Sequence, residues 1–293
     1  MIPDKIIEAI DKVQNPSVVG LDPKFEKLPE FLKRQDKADA ILKFNKLIID
    51  SIKDVVPIVK PQAAYYEALG VEGIKALSQT IKYAKEKGLI VIVDAKRNDI
   101  GSTAEAYAES YFGETSLECD LLTVNPYLGT DGIKPFIKKA GEHKGIFVLV
   151  KTSNPSSGEF QDKNYEGKKM YELVAEKVNE LARENIGKSG YSSVGAVIGA
   201  TYKTEAESLR KIMPNSIFLV PGYGKQGGTA DDAVVGFNGD GYGAVVNSSR
   251  GVIYNFNENA NEEEFKESIK QAALKMREDL QQAMKRANKF PWD

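Results

Sequence analysis

The stretch VIVDAKRNDIGSTAEAYA, residues 91–108, places a short apolar run directly before a dense group of ionisable side chains. Four charged residues, Asp94, Lys96, Arg97 and Asp99, fall within six consecutive positions. Side chains two positions apart on an extended segment share a face, so Asp94 and Lys96 should project together from the carboxyl end of a strand. A solvated loop would explain a charge cluster, but it would not aim a carboxylate and an ammonium at one point.

A helix is predicted after this charged group, over residues 104–112. Ser102 followed by Glu105 has the spacing of a capping box, which would open that helix. Asp99 lies beyond a turn from the strand. We therefore expect its side chain to point away from Asp94 and Lys96.

Apolar segments of strand length recur along the chain, with amphipathic helical patterns between them. The strand-like segments are residues 17–22, 56–60, 89–95, 119–126, 145–152, 192–200, 216–222 and 243–249. Short and nearly continuous apolar strands separated by helices are typical of a parallel sheet buried on both faces. The sequence therefore predicts a single-domain (β/α)8 TIM barrel over residues 1–293, with an extra helix at each end, residues 5–14 and 262–287. A doubly wound open sheet is the alternative.

Composition limits the classes of function. The chain has 293 residues, 42% of them apolar, which is enough for a substantial core, and its net charge of −2 gives no reason to expect a nucleic-acid partner. Its apolar runs are far shorter than the ~20 residues of a membrane-spanning helix, and the first segment lacks the pattern of a signal peptide. We expect a cytoplasmic protein with no membrane partner.

Cysteine and histidine, the residues most often found in metal and nucleophile sites, occur once each. Cys119 begins an apolar run and is expected to be a small buried hydrophobe. His143 lies in a polar turn and is expected to be solvated. No metal site is expected, and the chemistry must rest on carboxylates, lysines and backbone groups.

Polar side chains follow the predicted strands at the carboxyl ends, which in a barrel meet at one face and form the active site. They are Asp22, Lys60, Asp94, Lys96, Asn125, Thr152, Ser153 and Arg250. Four of the charged ones, Asp22, Lys60, Asp94 and Lys96, follow three consecutive strands. Because buried unmatched charge costs several kcal/mol, these four predict a network of alternating charge.

A phosphate site is predicted beside this network. PGYGKQGG, residues 221–228, is a glycine-rich loop after the seventh strand whose backbone N–H groups could approach a phosphate, although an ordinary turn would also suit it. Arg250 follows the eighth strand as a bidentate donor, and barrels commonly hold phosphate at this place. The polar run 152–164 after the fifth strand is interpreted as either a lid or a surface loop.

Together these motifs resemble the signature of the orotidine 5'-phosphate decarboxylase family. The pattern D-x-K-x-x-D-I-G-x-T occupies residues 94–103, and GLDP, VKP, KTSNP, PGYGKQGG and SSRG occur around it in order. The resemblance covers essentially the whole barrel and is strongest to the longer bacterial branch. It implies that the chain releases CO2 from orotidine 5'-monophosphate without a cofactor and forms UMP, the last step of pyrimidine nucleotide synthesis.

The resemblance also implies a role for each matching residue. Lys96 would donate the proton to a carbanion at C6, and Asp94 would face the departing carboxylate. Lys60 would hold the charged network in register and contact the ribose. Asp22 would bind a ribose hydroxyl.

Other implied roles concern the partner subunit and the two ends of the substrate. In a homodimer with shared active sites, Asp99 and Thr103 would reach into the site of the neighbouring subunit. Ser153 would contact the edge of the pyrimidine. Gln226 and Arg250 would hold the phosphate.

Two alternative functions remain open. Related barrels that act on sugar phosphates, a keto-gulonate phosphate decarboxylase and a hexulose phosphate synthase, share D-x-K-x-x-D but use magnesium. A non-catalytic protein that binds pyrimidine nucleotides would bind UMP but would have no use for Lys96. Function belongs to the site rather than to the fold, so a test of metal dependence and of turnover would separate the three.

Overall fold

The structure, a computed structural model, describes residues 1–224 and 227–292. Within these residues, eight parallel strands form a closed barrel in the order β1-β2-β3-β4-β5-β8-β9-β10, and β10 pairs with β1. The barrel strands are β1 (Ser17–Leu21), β2 (Ile58–Pro61), β3 (Ile90–Arg97), β4 (Leu121–Val124), β5 (Gly145–Lys151), β8 (Ser192–Ile198), β9 (Ser216–Val220) and β10 (Ala244–Ser248). Two short strands, β6 (Asn164–Tyr165) and β7 (Lys168–Lys169), form a separate antiparallel ribbon.

The barrel forms because its strands have no face suited to water. Every residue of β1, β2, β4, β8, β9 and β10 is buried. Such strands need helices outside and side-chain layers inside, which a parallel barrel provides. The predicted (β/α)8 barrel is confirmed, and the pairing of Ser17 with Val246 closes the sheet and excludes the open-sheet alternative.

Helices surround the barrel and extend it at both ends. They are α1 (Ile2–Val13), α2 (Lys37–Ile52), α3 (Ala63–Glu67), α4 (Gly70–Glu86), α5 (Gly101–Phe112), α6 (Lys134–Ala140), α7 (Met170–Arg183), α8 (Lys203–Ile212), α9 (Ala230–Val234), α10 (Arg250–Ile253) and α11 (Glu262–Arg286). The two predicted terminal helices are α1 and α11, and α11 packs against α2. Among the described helices, none combines the length and the apolar content needed to cross a membrane.

The prediction for the start of α5 was wrong. The helix begins at Gly101, and its N-cap residue Ile100 makes no side-chain capping bond. Ser102 and Glu105 are exposed and lie within the helix. Gly101 has a φ of 52°, a conformation that glycine adopts without strain, so the chain turns from β3 into α5 without a capping side chain.

Cys119 and His143 lie where the sequence predicts. Cys119 is fully buried, and burial raises the pKa of its thiol, so it remains a neutral apolar group. His143 is exposed in the loop between α6 and β5.

The side chain of Arg210, on α8, binds backbone carbonyl oxygens at the amino-terminal end of the barrel. This end lies on the side away from the predicted site. Its buried guanidinium donates hydrogen bonds of 2.6–2.9 Å to the carbonyl oxygens of Met213, Ser216, Gly236 and Gly243. Ser216 begins β9, and Gly243 directly precedes β10. Burial lowers the pKa of Arg210 to about 10, so the guanidinium stays charged at neutral pH. Its hydrogen bonds to the carbonyl groups take the place of the hydration that it loses on burial.

We expect Arg210→Lys to lower the free energy of unfolding by roughly 2–4 kcal/mol. The planar guanidinium of arginine donates to four carbonyl oxygens at once, and the single ammonium of lysine cannot reach all four. Urea denaturation measures this change. The matched control is Arg286→Lys, since the exposed Arg286 pairs with Asp231 on the surface and should contribute little. Equal losses in the two variants would contradict the role given to Arg210.

Candidate active site

The carboxyl ends of β10, β1, β2 and β3 lie side by side and carry the charged residues predicted from the sequence. Asp22 directly follows β1, and Lys60 lies in β2. Asp94 and Lys96 both lie in β3, while Arg250 begins α10 shortly after β10. Barrel closure thus brings residues from opposite ends of the chain to one face.

Asp94 is the centre of a hydrogen-bonded network. Its Oδ2 accepts from Lys60 Nζ at 2.8 Å, and its Oδ1 accepts from Lys96 Nζ at 2.6 Å. Thr123 on β4 donates from Oγ1 to the same Oδ1 at 2.9 Å. The Thr123 hydroxyl in turn accepts the backbone N–H of Lys96 at 2.9 Å. One carboxylate therefore takes three donors, and the contact expected between Asp94 and Lys96 is present.

The charges in this network stabilise one another. Burial alone would raise the pKa of Asp94, but the positive charges of Lys60 and Lys96 outweigh it and hold that pKa well below its usual range. Burial alone would lower the pKa of Lys60, but the carboxylates of Asp94 and Asp22 raise it above its ordinary value. Asp94 is therefore an anion and Lys60 a cation at neutral pH.

Lys96 has an unusual backbone conformation. Its φ is 48°, in the left-handed region that residues other than glycine rarely adopt. The pairing of β3 with β4 shifts register between Val93 and Arg97, so Lys96 lies in an irregular part of the strand. Irregularities of this kind redirect side chains and concentrate at functional sites.

The network lines a cavity of about 480 Å³. Its charged side is formed by the ends of β1, β2 and β3. Across the barrel, Leu149, Val197 and Leu219 give it an apolar side. Ser153, predicted to contact the pyrimidine, also lines this cavity. A flat ligand with one polar edge suits such a space, because its faces meet apolar side chains while its edge meets charge.

A second cavity, of about 240 Å³, continues from the first. The two share the lining residues Asp22, Asn247 and Ser249. Arg250 and Gly222 line only the second. Arg250 and the start of the glycine-rich loop thus line one cavity, beside the one that holds the charged network. The phosphate site stays a prediction.

The glycine-rich loop uses part of its backbone for its own turn. The N–H groups of Gly224, Gly227 and Gly228 donate to the carbonyl oxygens of Gly228, Gly224 and Gly222 respectively. In this conformation these three N–H groups are not directed at a ligand. Gln226, predicted to hold the phosphate, lies outside the described residues.

Tyr254 connects the segment after β1 to the helix that begins at Arg250. It follows α10, whose first residue is Arg250. Its hydroxyl donates to the carbonyl oxygen of Asp22 at 3.0 Å and accepts the backbone N–H of Lys24 at 2.7 Å. The segment after β1 is thereby fastened to the helix that carries the arginine.

Asp99 and Thr103 do not line either cavity of their own chain. Asp99 is partly buried, and its Oδ1 accepts the N–H of Ile100 at 2.9 Å. Thr103 is exposed in the first turn of α5. Their role in the site of a partner subunit stays a prediction.

The loop after β5 is fastened to the barrel at both ends. Lys151 closes β5 with a fully buried side chain whose Nζ lies 2.5 Å from Asp162 Oδ1. Next to that pair, Gln161 Oε1 accepts the N–H of Thr152 at 3.0 Å. Thr152, Ser153, Asn154 and Gln161 line the larger cavity. The loop therefore forms part of the wall of the cavity, and its action as a lid stays a prediction.

Sequence reasoning missed three polar residues that line or support the site. Thr123 and Asn247 lie inside the apolar strands β4 and β10, and both are buried. A polar residue within such a strand is the signal that could have identified them. Gln161 lies ten residues beyond the end of β5, where no strand pattern locates a side chain.

Comparisons with known proteins agree with this geometry. Residues 18–283 match the family model described as the orotidine 5'-phosphate decarboxylase / HUMPS family. The chain belongs to this family. It is 46% identical over 290 residues to the orotidine 5'-phosphate decarboxylase of Rhodopirellula baltica, with 93% of this chain and 96% of the relative covered. For that of Caldicellulosiruptor saccharolyticus the identity is 42% over 300 residues, with 96% and 98% covered.

Solved structures give the same result for the fold. The OMP decarboxylase of Leishmania donovani superposes with a TM-score of 0.77 at 31% identity, covering 96% of this chain and 98% of that one. The UMP synthase of Leishmania donovani gives a TM-score of 0.75 at 33% identity, covering 92% of this chain and 56% of that one. The family resemblance and the barrel predicted from the sequence are both confirmed.

Gly199, directly after β8, leaves room for the loop that carries Ser153. A Cβ at position 199 would lie 2.9 Å from Ser153 Cβ and 3.0 Å from its Cα. We expect Gly199→Ala to displace this loop, to lower the free energy of unfolding by about 1–3 kcal/mol and to speed amide hydrogen exchange over residues 152–162. Gly239→Ala is the control, because a Cβ there meets nothing within 4 Å. Unchanged exchange in Gly199→Ala would contradict the steric argument.

Proposed function

We propose that the protein removes CO2 from orotidine 5'-monophosphate to form UMP. The observation that carries this proposal is the Asp94 carboxylate held between two ammonium groups, in a cavity that continues into a pocket lined by Arg250. The pyrimidine would occupy the larger cavity and the phosphate the smaller one. Membership of the decarboxylase family supports the same reaction.

The two lysines suit different tasks in this reaction. The Lys60 side chain is 5% exposed and belongs to the wall, whereas that of Lys96 is 45% exposed and can reach a bound pyrimidine. When the C6–carboxylate bond breaks, its electron pair stays on C6 and CO2 leaves. The ammonium of Lys96 would stabilise that charge and then donate its proton to C6, and water would reprotonate the amine.

The remaining residues would bind and align the substrate. Arg250 would pair with the phosphate, Asp22 would accept a hydrogen bond from the ribose, and Ser153 would contact the pyrimidine edge. Asp94 would lie against the departing carboxylate, where like charge disfavours the bound substrate relative to the transition state. Binding energy from the distant phosphate offsets that repulsion.

We also propose a homodimer in which each site uses residues of both subunits. Ile100, Tyr127 and Leu128 are large apolar side chains that are 55%, 85% and 43% exposed, and they follow β3 and β4 on the site face. Exposed apolar side chains on the loops after two neighbouring strands are typical of a contact surface. Asp99 and Thr103 lie in the same segment as Ile100, so a partner seated there would receive them.

The direct test is the loss of orotidine 5'-monophosphate absorbance with purified protein in EDTA. Within residues 1–224 and 227–292, no cluster of three or more His, Cys, Asp or Glu residues could hold a metal ion. We expect turnover to continue in EDTA at the untreated rate. Activity that returns only with magnesium would favour a sugar-phosphate enzyme, and UMP binding without turnover would favour a nucleotide-binding protein.

The Lys96→Ala variant should lose activity by at least roughly a thousandfold, because it removes both the charge that stabilises the carbanion and the proton donor. UMP binding should persist, since that charge matters most once charge develops at C6. Steady-state rates and calorimetric titration with UMP measure the two effects. Lys177→Ala, which removes an exposed ammonium paired with Glu180, is the control. Substantial turnover by Lys96→Ala would refute the role.

The shared site can be tested by mixing two inactive variants. Lys96→Ala and Asp99→Ala homodimers should each be nearly inactive. Refolding them together in equal amounts should make half of the dimers mixed, and one site of each mixed dimer would carry neither defect. Recovered activity should approach about a quarter of wild type, which is half the dimers times half their sites.

The matched control for this experiment is a mixture of Lys96→Ala with Asp94→Ala. Both residues serve the site of their own chain, so every site keeps a defect whatever the pairing. This mixture should recover nothing. If the mixture with Asp99→Ala also recovers nothing while mixed dimers are shown to form, the shared site is wrong.

A further inference from the structure

The side-chain amide of Asn247 is buried but is not fully hydrogen-bonded. Its side chain is 7% exposed, at the carboxyl end of β10. Its Oδ1 is buried without a hydrogen-bond partner among the described residues. Its Nδ2 makes one long contact, 3.5 Å to Ser249 Oγ. An unsatisfied buried amide group costs about 1–3 kcal/mol, so a partner that binds to it would recover that free energy.

The position of this amide is the junction of the two cavities, both of which Asn247 lines. In the pairing of β10 with β1, Asn247 lies opposite Val18. Two residues further along β1, the position of an added Cβ on Gly20 is 3.2 Å from Asn247 Oδ1. Asp22 lies two residues beyond Gly20 and lines both cavities, so it lies at the same junction.

We propose that Asn247 is a further substrate-binding residue, which together with Asp22 holds a ribose hydroxyl group. The proposal rests on the function given above, which places the phosphate at Arg250 and the pyrimidine at Lys96. The sugar joins these two parts of the nucleotide and must lie at the junction of the cavities.

The chemistry of the junction favours a hydroxyl over a phosphate oxygen. A hydroxyl can donate its hydrogen to the Asp22 carboxylate while it accepts a hydrogen bond from Asn247 Nδ2. Rotation of the amide by half a turn exchanges its two ends, so that Nδ2 occupies the position where Oδ1 now lacks a partner and can donate there to the hydroxyl oxygen. A phosphate oxygen only accepts, and the negative charge of Asp22 would repel it.

The test compares nucleotides that differ by one hydroxyl. Dissociation constants of UMP, 2'-deoxy-UMP and 3'-deoxy-UMP are measured by calorimetry for the wild type and for Asn247→Ala. One deoxy form should bind the wild type at least roughly tenfold more weakly than UMP does. Asn247→Ala should weaken UMP binding by roughly tenfold and leave binding of that deoxy form unchanged. The variant and the deoxy nucleotide each remove the same hydrogen bond between Asn247 and the hydroxyl, so the second change has no further effect.

Two further variants keep this comparison interpretable. Asn247→Val suits the apolar strand and removes both edges of the amide, so it replaces Asn247→Ala if the latter does not fold. Asn259→Ala changes an exposed asparagine that lines neither cavity and should leave every constant unchanged.

Each other outcome has a definite meaning. Unchanged UMP binding by the Asn247 variants would overturn the inference. Equal weakening of UMP and both deoxy forms, with uridine binding unaffected, would assign Asn247 to the phosphate and would also overturn it. A wild-type protein that binds no UMP would refute the proposed function itself, and the inference with it.

Discussion

The site depends on the ion pair between Lys60 and Asp94. Both side chains are buried, and each helps the other to keep its charge across 2.8 Å, with Lys96 adding to the effect on Asp94 and Asp22 to the effect on Lys60. Removing one partner of such a pair typically costs about 3–5 kcal/mol, since the remaining charge is left without water or a counterion. The pair joins β2 to β3, so the fold and the charge state of the site support each other. Lys96, bound to the second carboxylate oxygen, is oriented by an anion that cannot easily change its charge.

The two ends of the barrel carry different functions. At the amino-terminal end, Arg210 satisfies carbonyl oxygens around β9 and β10 and faces no cavity of the site. At the carboxyl end, Lys96 has a left-handed backbone, and the amide of Asn247 lacks a full set of partners. Strain and unsatisfied polar groups cost stability, and the bonds at the opposite end offset that cost. Under the proposal for Asn247, this free hydrogen-bonding capacity would serve the ligand.

In the proposed reaction, the phosphate and the reacting part of the pyrimidine lie apart, and short paths through the protein connect the residues that would hold them. Tyr254 links the segment that bears Asp22 to the helix that begins at Arg250. The ion pair of Lys151 with Asp162 fixes the loop that brings Ser153 to the cavity. In the proposed reaction, these links would let energy gained at the phosphate and the sugar align the pyrimidine with Lys96, which is how contacts remote from the broken bond assist a reaction.

The sequence by itself determined the barrel, its eight strands and the charged residues at the strand ends, because hydrophobic periodicity and the order of polar residues are local properties of the chain. It did not determine the start of α5, where the backbone freedom of Gly101 replaces a capping side chain. Nor did it reveal Asn247 at the cavity junction or the pairing of Lys151 with Asp162. Only the tertiary structure decided these features, because each depends on strand register and barrel closure, which bring together groups whose separation in space no sequence pattern encodes.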